Sequence, residues 1–290
     1  MKKIKILIPV YNDWLSVFKL LENINLEISA LEGEFSIIIV NDASTENRPE
    51  LEVDLNNLKS VQILNMKENK GHARSLAAGL KYINEKEDFD CVISLDGDGE
   101  DRPEELGLFF IKAKENFDNI VVAKRVKRSE GLLFRFFYII HVYLTLIFTG
   151  NIIKFGNFTF LSKTFVKVLI KDPALWNSYV GTIKKLAKKT VSIPSIRGVR
   201  YFGSSKMNFI NLVKHSLSMM SIFKKTFLIR SILFITFYIF LIIGNFSIIT
   251  LIPILVIFFV MIFIIKLSKR GNILEFNNSL KNIQSIDQIK

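Results

Sequence analysis

The chain has 290 residues, half of them hydrophobic, with a mean hydropathy of +0.32 and a formal charge of +12. That hydropathy is high for a water-soluble globule, and the length suffices for one sizeable domain plus an appendage. A single cysteine, Cys91, excludes an internal disulfide framework, and its place in an apolar run reads as a buried thiol in a reducing compartment.

The basic start is followed by an apolar run that stops at Pro9, too short for a signal peptide, so residues 5–10 read as a buried first strand. Residues 13–28 follow with helical spacing. The unbroken apolar run 35–40 fits a parallel strand buried on both faces. Further strands are expected at 61–64, 91–95 and 120–123, and helices at 73–83 and 103–116. This alternation predicts an α/β sheet with ligands at the carboxyl ends of its strands.

Beyond residue 130 the character changes. Between Glu130 and Glu275 the only acidic residue is Asp172, amid many lysines and arginines. Such a bias suits either nucleic acid or an anionic membrane with an anionic substrate. The apolar segments favour the membrane and argue against nucleic acid. Residues 132–148, with Arg135 and His141, and 207–225, with Lys214 and Lys224, are amphipathic; each reads as a core-facing helix or as a helix lying in the bilayer interface. No residue from Ser231 to Ile265 is charged, and Gly244-Asn245 interrupts that run as a turn signal. Two transmembrane helices are therefore expected, at 228–244 and 248–265. Lys224, Lys225 and Arg230 precede them and Lys266, Lys269 and Arg270 follow, which puts both flanks in the cytosol. The polar, Asn-rich segment 267–290 reads as a cytosolic tail without an assigned role.

Three segments carry candidate chemistry. Asp96-Gly97-Asp98 ends an apolar strand, and two carboxylates there could hold Mg²⁺ or Mn²⁺ together with substrate phosphates. Glycine between them would let a ligand approach closely. Asp42 follows the second strand and reads either as a hydrogen-bond acceptor for a base or ribose or as a turn cap. Residues 69–74, Asn-Lys-Gly-His-Ala-Arg, open a helix, a suitable place for an anion or a plain turn.

Taken in order, these segments resemble the inverting glycosyltransferases of family 2 with the GT-A fold, and within it the polyprenyl-phosphate branch related to dolichol-phosphate mannose synthase. The likeness is carried by Ile8-Pro9-Val10-Tyr11-Asn12-Asp13, Val40-Asn41-Asp42-Ala43-Ser44, Asn69-Lys70-Gly71 with Ala73-Arg74, the run from Leu95 to Glu104, and Arg200-Tyr201-Phe202-Gly203-Ser204-Ser205-Lys206-Met207. It covers about residues 1–210. Departures are Asn41 where aspartate is frequent, Glu100 where an amide is usual, and Arg102-Pro103 where a double proline is usual.

The resemblance implies an α/β, Rossmann-like GT-A domain over 1–206, an amphipathic juxtamembrane helix over 207–227, a transmembrane hairpin over 228–266 and the tail over 267–290. It implies Asp96, Asp98 and Glu100 as ligands of Mg²⁺ or Mn²⁺. Asp98, Arg125, Arg200 and Lys206 would serve catalysis, the basic residues by holding phosphates. Pro9, Tyr11, Asp13, Asp42, Lys70, Gly71, Arg74, Asp96, Arg128 and Ser205 would line the substrate site. The implied donor is a UDP- or GDP-sugar.

The acceptor follows from the apparent lack of a base. Relatives that modify hydroxyls carry an acidic pair on the acceptor side, and processive synthases add an arginine–tryptophan motif; neither is present. Asp172-Pro173 reads instead as the N-cap of a helix over 173–189, although Glu100 and Asp101 stay open as bases. A lipid phosphate is already anionic and needs none. The expectation is transfer to polyprenyl (undecaprenyl) phosphate by a multi-pass inner-membrane protein with its catalytic domain in the cytosol. The alternative is a hydroxyl of a lipid-linked or cell-surface glycan. A catalytically dead scaffold and homo-oligomer formation through the hairpin are left open.

Overall fold

The computed structural model describes residues 1–50, 53–115, 117–118, 120–127, 132–204 and 209–290. The N-terminal half follows the expected alternation: β1 (Lys3–Val10), α1 (Trp14–Glu27), β2 (Glu34–Asn41), β3 (Ser60–Met66), α2 (His72–Lys86), β4 (Cys91–Ser94), α3 (Leu106–Glu115) and β5 (Ile120–Lys127). The chain continues through α4 (Leu132–Thr149), β6 (Phe155–Ser162), α5 (Lys163–Leu169), α6 (Tyr179–Leu186) and β7 (Thr190–Ile196). It ends with α7 (Phe209–Ser221), α8 (Lys224–Leu241), α9 (Ile248–Ser268), α10 (Ile273–Asn277) and β8 (Ile283–Gln288).

The eight strands form one mixed sheet in the order β7-β5-β6-β4-β1-β2-β3-β8. Strands β4, β1, β2 and β3 run parallel, so the carboxyl ends of β1, β2 and β4 lie side by side. Side chains alternate across β1 and β2 and both faces are covered. Ile4, Ile6, Ile8 and Phe35, Ile37, Ile39 belong to the core shared with α1 and α3, whereas Leu7, Ile38 and Val40 belong to the core shared with α2, α5 and α6. Cys91 is fully buried, as expected.

Three strands were not legible in the sequence. β6 is antiparallel to both β4 and β5, β7 is parallel to β5, and β8 is antiparallel to β3. The expected tail therefore contributes an edge strand to the same sheet. Arg48 donates to Asp287 at 2.7 Å, and the Phe276 ring packs on Trp176 with centroids 5.6 Å apart.

The helix expected over 173–189 is broken. Asp172 does cap, accepting from the Ala174 amide at 2.9 Å, but only a short 3-10 turn, Pro173–Trp176, follows. Ser178 then starts α6 with a new cap.

At the C-terminus, α8 and α9 are joined by a short turn at Gly244 and contact each other. Met220, Phe227 and Ile264 bind α7, α8 and α9 into one small core. Of the described helices only the one that begins at Ile248 is long and apolar enough to cross a bilayer, with a mean hydropathy of 3.3. The other expected span, 228–244, lies largely within α8, which starts earlier than expected: Lys224, Lys225 and Arg230 lie inside its first turns rather than before it. Arg230 is not a plain flanking charge, because its guanidinium donates to the Leu146 and Ile147 carbonyls at 3.2 and 2.9 Å and so closes the C-terminus of α4.

Candidate active site

Leu95 still bonds to β1 through its amide, but from Asp96 the chain leaves the sheet and turns sharply. Asp101 stabilises that turn, its Oδ2 accepting the Asp96 amide at 3.0 Å. Gly97 is required here for a reason other than ligand access. A Cβ on it would lie 2.9 Å from Val17 Cγ2 and 3.2 Å from the Pro9 carbonyl oxygen. Gly99 adopts φ +86°, and the Tyr201 ring fills the space its side chain would need.

The two motif carboxylates are held differently. Asp96 Oδ1 accepts from His72 Nε2 at 2.9 Å and from Asn157 Nδ2 at 3.1 Å. Burial opposes its charge, but His72, Asn157 and Arg125 outweigh it and hold the carboxyl below its usual value. Asp98 accepts from the Glu100 amide on Oδ1 at 3.0 Å and from Arg200 on Oδ2 at 2.9 Å. Burial and the neighbouring Asp96 push Asp98 up to about 6 despite Arg200. Asp101 is raised too, by burial and Asp96, with the Arg125 guanidinium 3.7 Å away.

The segment 197–202, on the chain after β7, closes over this loop. Arg197 pairs with Glu100, and Arg200 bridges Asp98 and Asp13. The Gly198 and Tyr201 amides donate to the Glu100 and Asp98 carbonyls at 2.8 and 3.0 Å. Beside it, a groove of about 390 Å³ is lined by Asn12 to Leu15, Glu46 and Arg200, Phe202, Gly203 and Ser204. Asn12, at φ +50°, shapes its rim by accepting the Thr45 and Glu46 amides.

Among the expected site residues, the fold brings Asp13, Asp96, Asp98, Glu100, Arg125 and Arg200 together, with the Pro9 carbonyl beneath Gly97. Tyr11 stands exposed at the end of β1. Asp42 is placed otherwise than a free base acceptor: its two oxygens take the Lys70 and Gly71 amides at 2.9 and 2.8 Å, so it pins the third motif to the second. The Lys70 and Arg74 side chains turn toward the C-terminal segment, 3.4 and 3.3 Å from Glu275. Arg128, Ser205 and Lys206 lie outside the described residues. His72, Asn157, Arg197 and Glu275 were not assigned from sequence; His72 stands inside a quoted motif, the others on elements whose position only the fold sets.

Among the described residues no three His, Cys, Asp or Glu side chains are grouped as a metal cage. The donor set nonetheless fits a hard divalent cation, which takes one or two carboxylates and leaves other positions to phosphate oxygens. Asp96 Oδ2 accepts no hydrogen bond among the described residues, and the Asp98 oxygen held by Arg200 is the one a cation would compete for.

The fold is similar to glucosyl-3-phosphoglycerate synthase from Mycobacterium tuberculosis, solved with Mn²⁺, uridine diphosphate and phosphoglyceric acid (TM-score 0.51, 12% identity, 78% of each chain). It is also similar to mannosyl-3-phosphoglycerate synthase from Rubrobacter xylanophilus (TM-score 0.50, 12% identity, 76% of this chain and 72% of that one). By sequence, the undecaprenyl-phosphate 4-deoxy-4-formamido-L-arabinose transferase of Photorhabdus laumondii is 24% identical over 226 residues, and that of Proteus mirabilis 23% over 224. Each alignment covers 73% of this chain, which spans 65% and 64% of those relatives' lengths. The sequence profile of glycosyl transferase family 2 matches residues 5–175. With more than half of its length inside that profile, this chain belongs to glycosyl transferase family 2.

Proposed function

We propose that the protein transfers a sugar, with inversion, from a UDP- or GDP-sugar to a polyprenyl phosphate at the cytosolic face of the inner membrane, using Mg²⁺ or Mn²⁺. The observation that carries this reading is Asp98 set between Asp96 and Arg200, next to the groove that begins at Asn12. The undecaprenyl-phosphate transferases among its relatives support the acceptor.

A divalent cation held by Asp98 and Asp96 would supply positive charge to the diphosphate. The acceptor's phosphate oxygen attacks the anomeric carbon while the bond from that carbon to the donor diphosphate breaks and its electron pair leaves with the diphosphate. Arg200 is placed to exchange Asp98 and Asp13 for the diphosphate oxygens, gripping them bidentately. Arg125, tied to Asp101, would add charge from the far side of the loop. Glu100 would join the cation only on release from Arg197. No proton has to be removed from the acceptor, and Asp172 is engaged as a cap and by Lys185 at 2.7 Å rather than as a base.

The described topology bears on the membrane reading. Strand β8 belongs to the same sheet as β1 to β7, so α8 and α9 must leave and return on one side of any bilayer. At ~1.5 Å per residue α9 is roughly 32 Å long, close to the ~30 Å hydrocarbon core. In our reading α8 crosses beside it, Lys224 and Lys225 snorkelling to the interface.

The test is a detergent assay of the full chain with radiolabelled UDP- and GDP-sugars and undecaprenyl phosphate, with and without Mn²⁺. A chloroform-soluble, mild-acid-labile product is expected. Transfer solely to glycan hydroxyls would establish the alternative acceptor, and full activity in chelator would remove the cation. For topology, Asn245→Cys in sealed cells should react with an impermeant maleimide from outside, Cys91 being buried and silent; labelling only after permeabilisation would mean a hairpin that dips without crossing.

A further inference from the structure

Asp96 leaves the sheet with its backbone already fixed. The Leu95 amide still bonds to the Leu7 carbonyl at 3.2 Å, and Asp101 holds the Asp96 amide at 3.0 Å. What remains to be set is the direction of the carboxylate. Two side chains set it, and both bind the same oxygen: His72 Nε2 lies 2.9 Å from Oδ1, and Asn157 Nδ2 lies 3.1 Å from it. An ionised carboxylate can only accept, so Nε2 carries the imidazole proton. Oδ2 accepts no hydrogen bond among the described residues.

Each donor is itself anchored. His72 is the first residue of α2, directly after Gly71, whose φ of +92° turns the chain into the helix. Asp42 holds the Gly71 amide at 2.8 Å, and the Gly71 carbonyl takes the Arg74 and Ser75 amides at 2.9 and 3.1 Å. One turn therefore ties the end of β2 to the carboxylate at the end of β4. Asn157 stands on β6 beside three buried hydroxyls. Ser94 Oγ donates to the Asn157 carbonyl at 2.6 Å and meets Thr159 Oγ1 at 3.0 Å and the Tyr179 hydroxyl at 2.7 Å. The Thr159 and Tyr179 oxygens lie 2.5 Å apart, so all three hydroxyls are paired, as burial requires. Ser94 and Thr159 are register partners, and the network locks β6 to β4 two residues before Asp96.

Asp98 has no such arrangement. The Glu100 amide takes one of its oxygens and Arg200 the other. A cation reaches Asp98 by exchange with Arg200, whereas Asp96 offers Oδ2 without displacing a partner.

We propose that His72 and Asn157 are positioning residues: from α2 and β6 they hold Asp96 by one oxygen and present the other to the divalent cation. The inference rests on the cation reading above and adds the two side chains that aim its ligand. Hydrogen-bond partners behind a metal-binding carboxylate typically contribute roughly 10–100-fold to metal affinity.

The test is Mn²⁺ binding by the full chain in detergent, read from the electron paramagnetic resonance signal of free Mn²⁺, with the metal alone and with UDP or GDP added. His72→Ala and Asn157→Ala should each raise the Mn²⁺ dissociation constant about tenfold in whichever condition the wild type binds. His72→Gln should recover most of the loss, because its amide N–H can stand where Nε2–H does. Melting temperatures in chelator should match the wild type for the His72 variants, that side chain being 46% exposed. Wild-type affinity in His72→Ala, or a loss in His72→Gln as large as in His72→Ala, would overturn the proposal. So would weaker binding found only together with a lower melting temperature in chelator, the mark of a structural role alone. If Asn157→Ala does not fold, the two His72 variants decide. A wild type that binds no Mn²⁺ in any of the three conditions would remove the cation reading itself, and this inference with it.

Discussion

Two clusters of charge at the carboxyl end of the sheet are built in opposite ways. In the loop 96–101, Asp96, Asp98 and Asp101 crowd together, and burial with mutual repulsion pushes Asp98 up to about 6. At the junction between residues 67–74 and the C-terminal segment, charges are matched. Glu275 sits between Lys70 and Arg74, Asp287 meets Arg48, and Lys67 reaches the Lys281 carbonyl. Burial raises Glu275 less than Trp176, Arg74 and Lys70 lower it. A cluster short of positive charge can accept a cation or yield to substrate, whereas a neutralised one can only hold the fold together.

The comparison breaks first at Asp98. Asp98→Asn should lower turnover by about 10³-fold while leaving the chelator-treated protein as stable as the wild type or more so. The sign follows from the raised pKa: the folded form holds the proton more tightly, so the cost of charging Asp98 begins near 3.8 and is complete above about 6. The melting advantage of the variant should therefore grow between pH 4 and 7; a lower melting temperature at pH 7 would show that the loop is not strained. Arg200→Ala should cost about 10²-fold in turnover, and Arg200→Lys should recover only part, because an ammonium cannot bridge Asp13 and Asp98 as a guanidinium does.

Gly97→Ala probes packing beneath the loop. The added carbon meets Val17 and the Pro9 carbonyl, so denaturant unfolding should show a loss of about 1–3 kcal/mol. The smallest effect is expected at the matched cluster. Glu275→Gln should cost about 0.5–1 kcal/mol at neutral pH. Its pKa is depressed in the fold, so this contribution is present above 4.5 and fades as pH falls through the folded value. Hydrogen exchange of the β8 amides in wild type and variant should converge in acid.

The parts readable from sequence are those whose residues meet neighbours along the chain or are buried on both faces. Strands β1, β2 and β4 each contain a short apolar run buried on both faces, and the acidic motif was found where β4 ends. Strands β6, β7 and β8 escaped notice because they mix polar residues, and each pairs with a partner far along the chain. Asp42 was assigned a ligand because its engagement by the Lys70 and Gly71 amides depends on how β2 and β3 lie together. Gly97 was correctly marked as special but for ligand approach, when the constraint is the Val17 side chain below it.

Sequence alone determined the family pattern, the α/β core, the basic and apolar C-terminal half and the candidate carboxylates, because composition, periodicity and short motifs are local properties. Tertiary structure decided that Arg200 closes on Asp98 and that the last residues return to the sheet as β8. Those outcomes depend on which surfaces pack together once both faces of the sheet are covered, and no spacing along the chain encodes them.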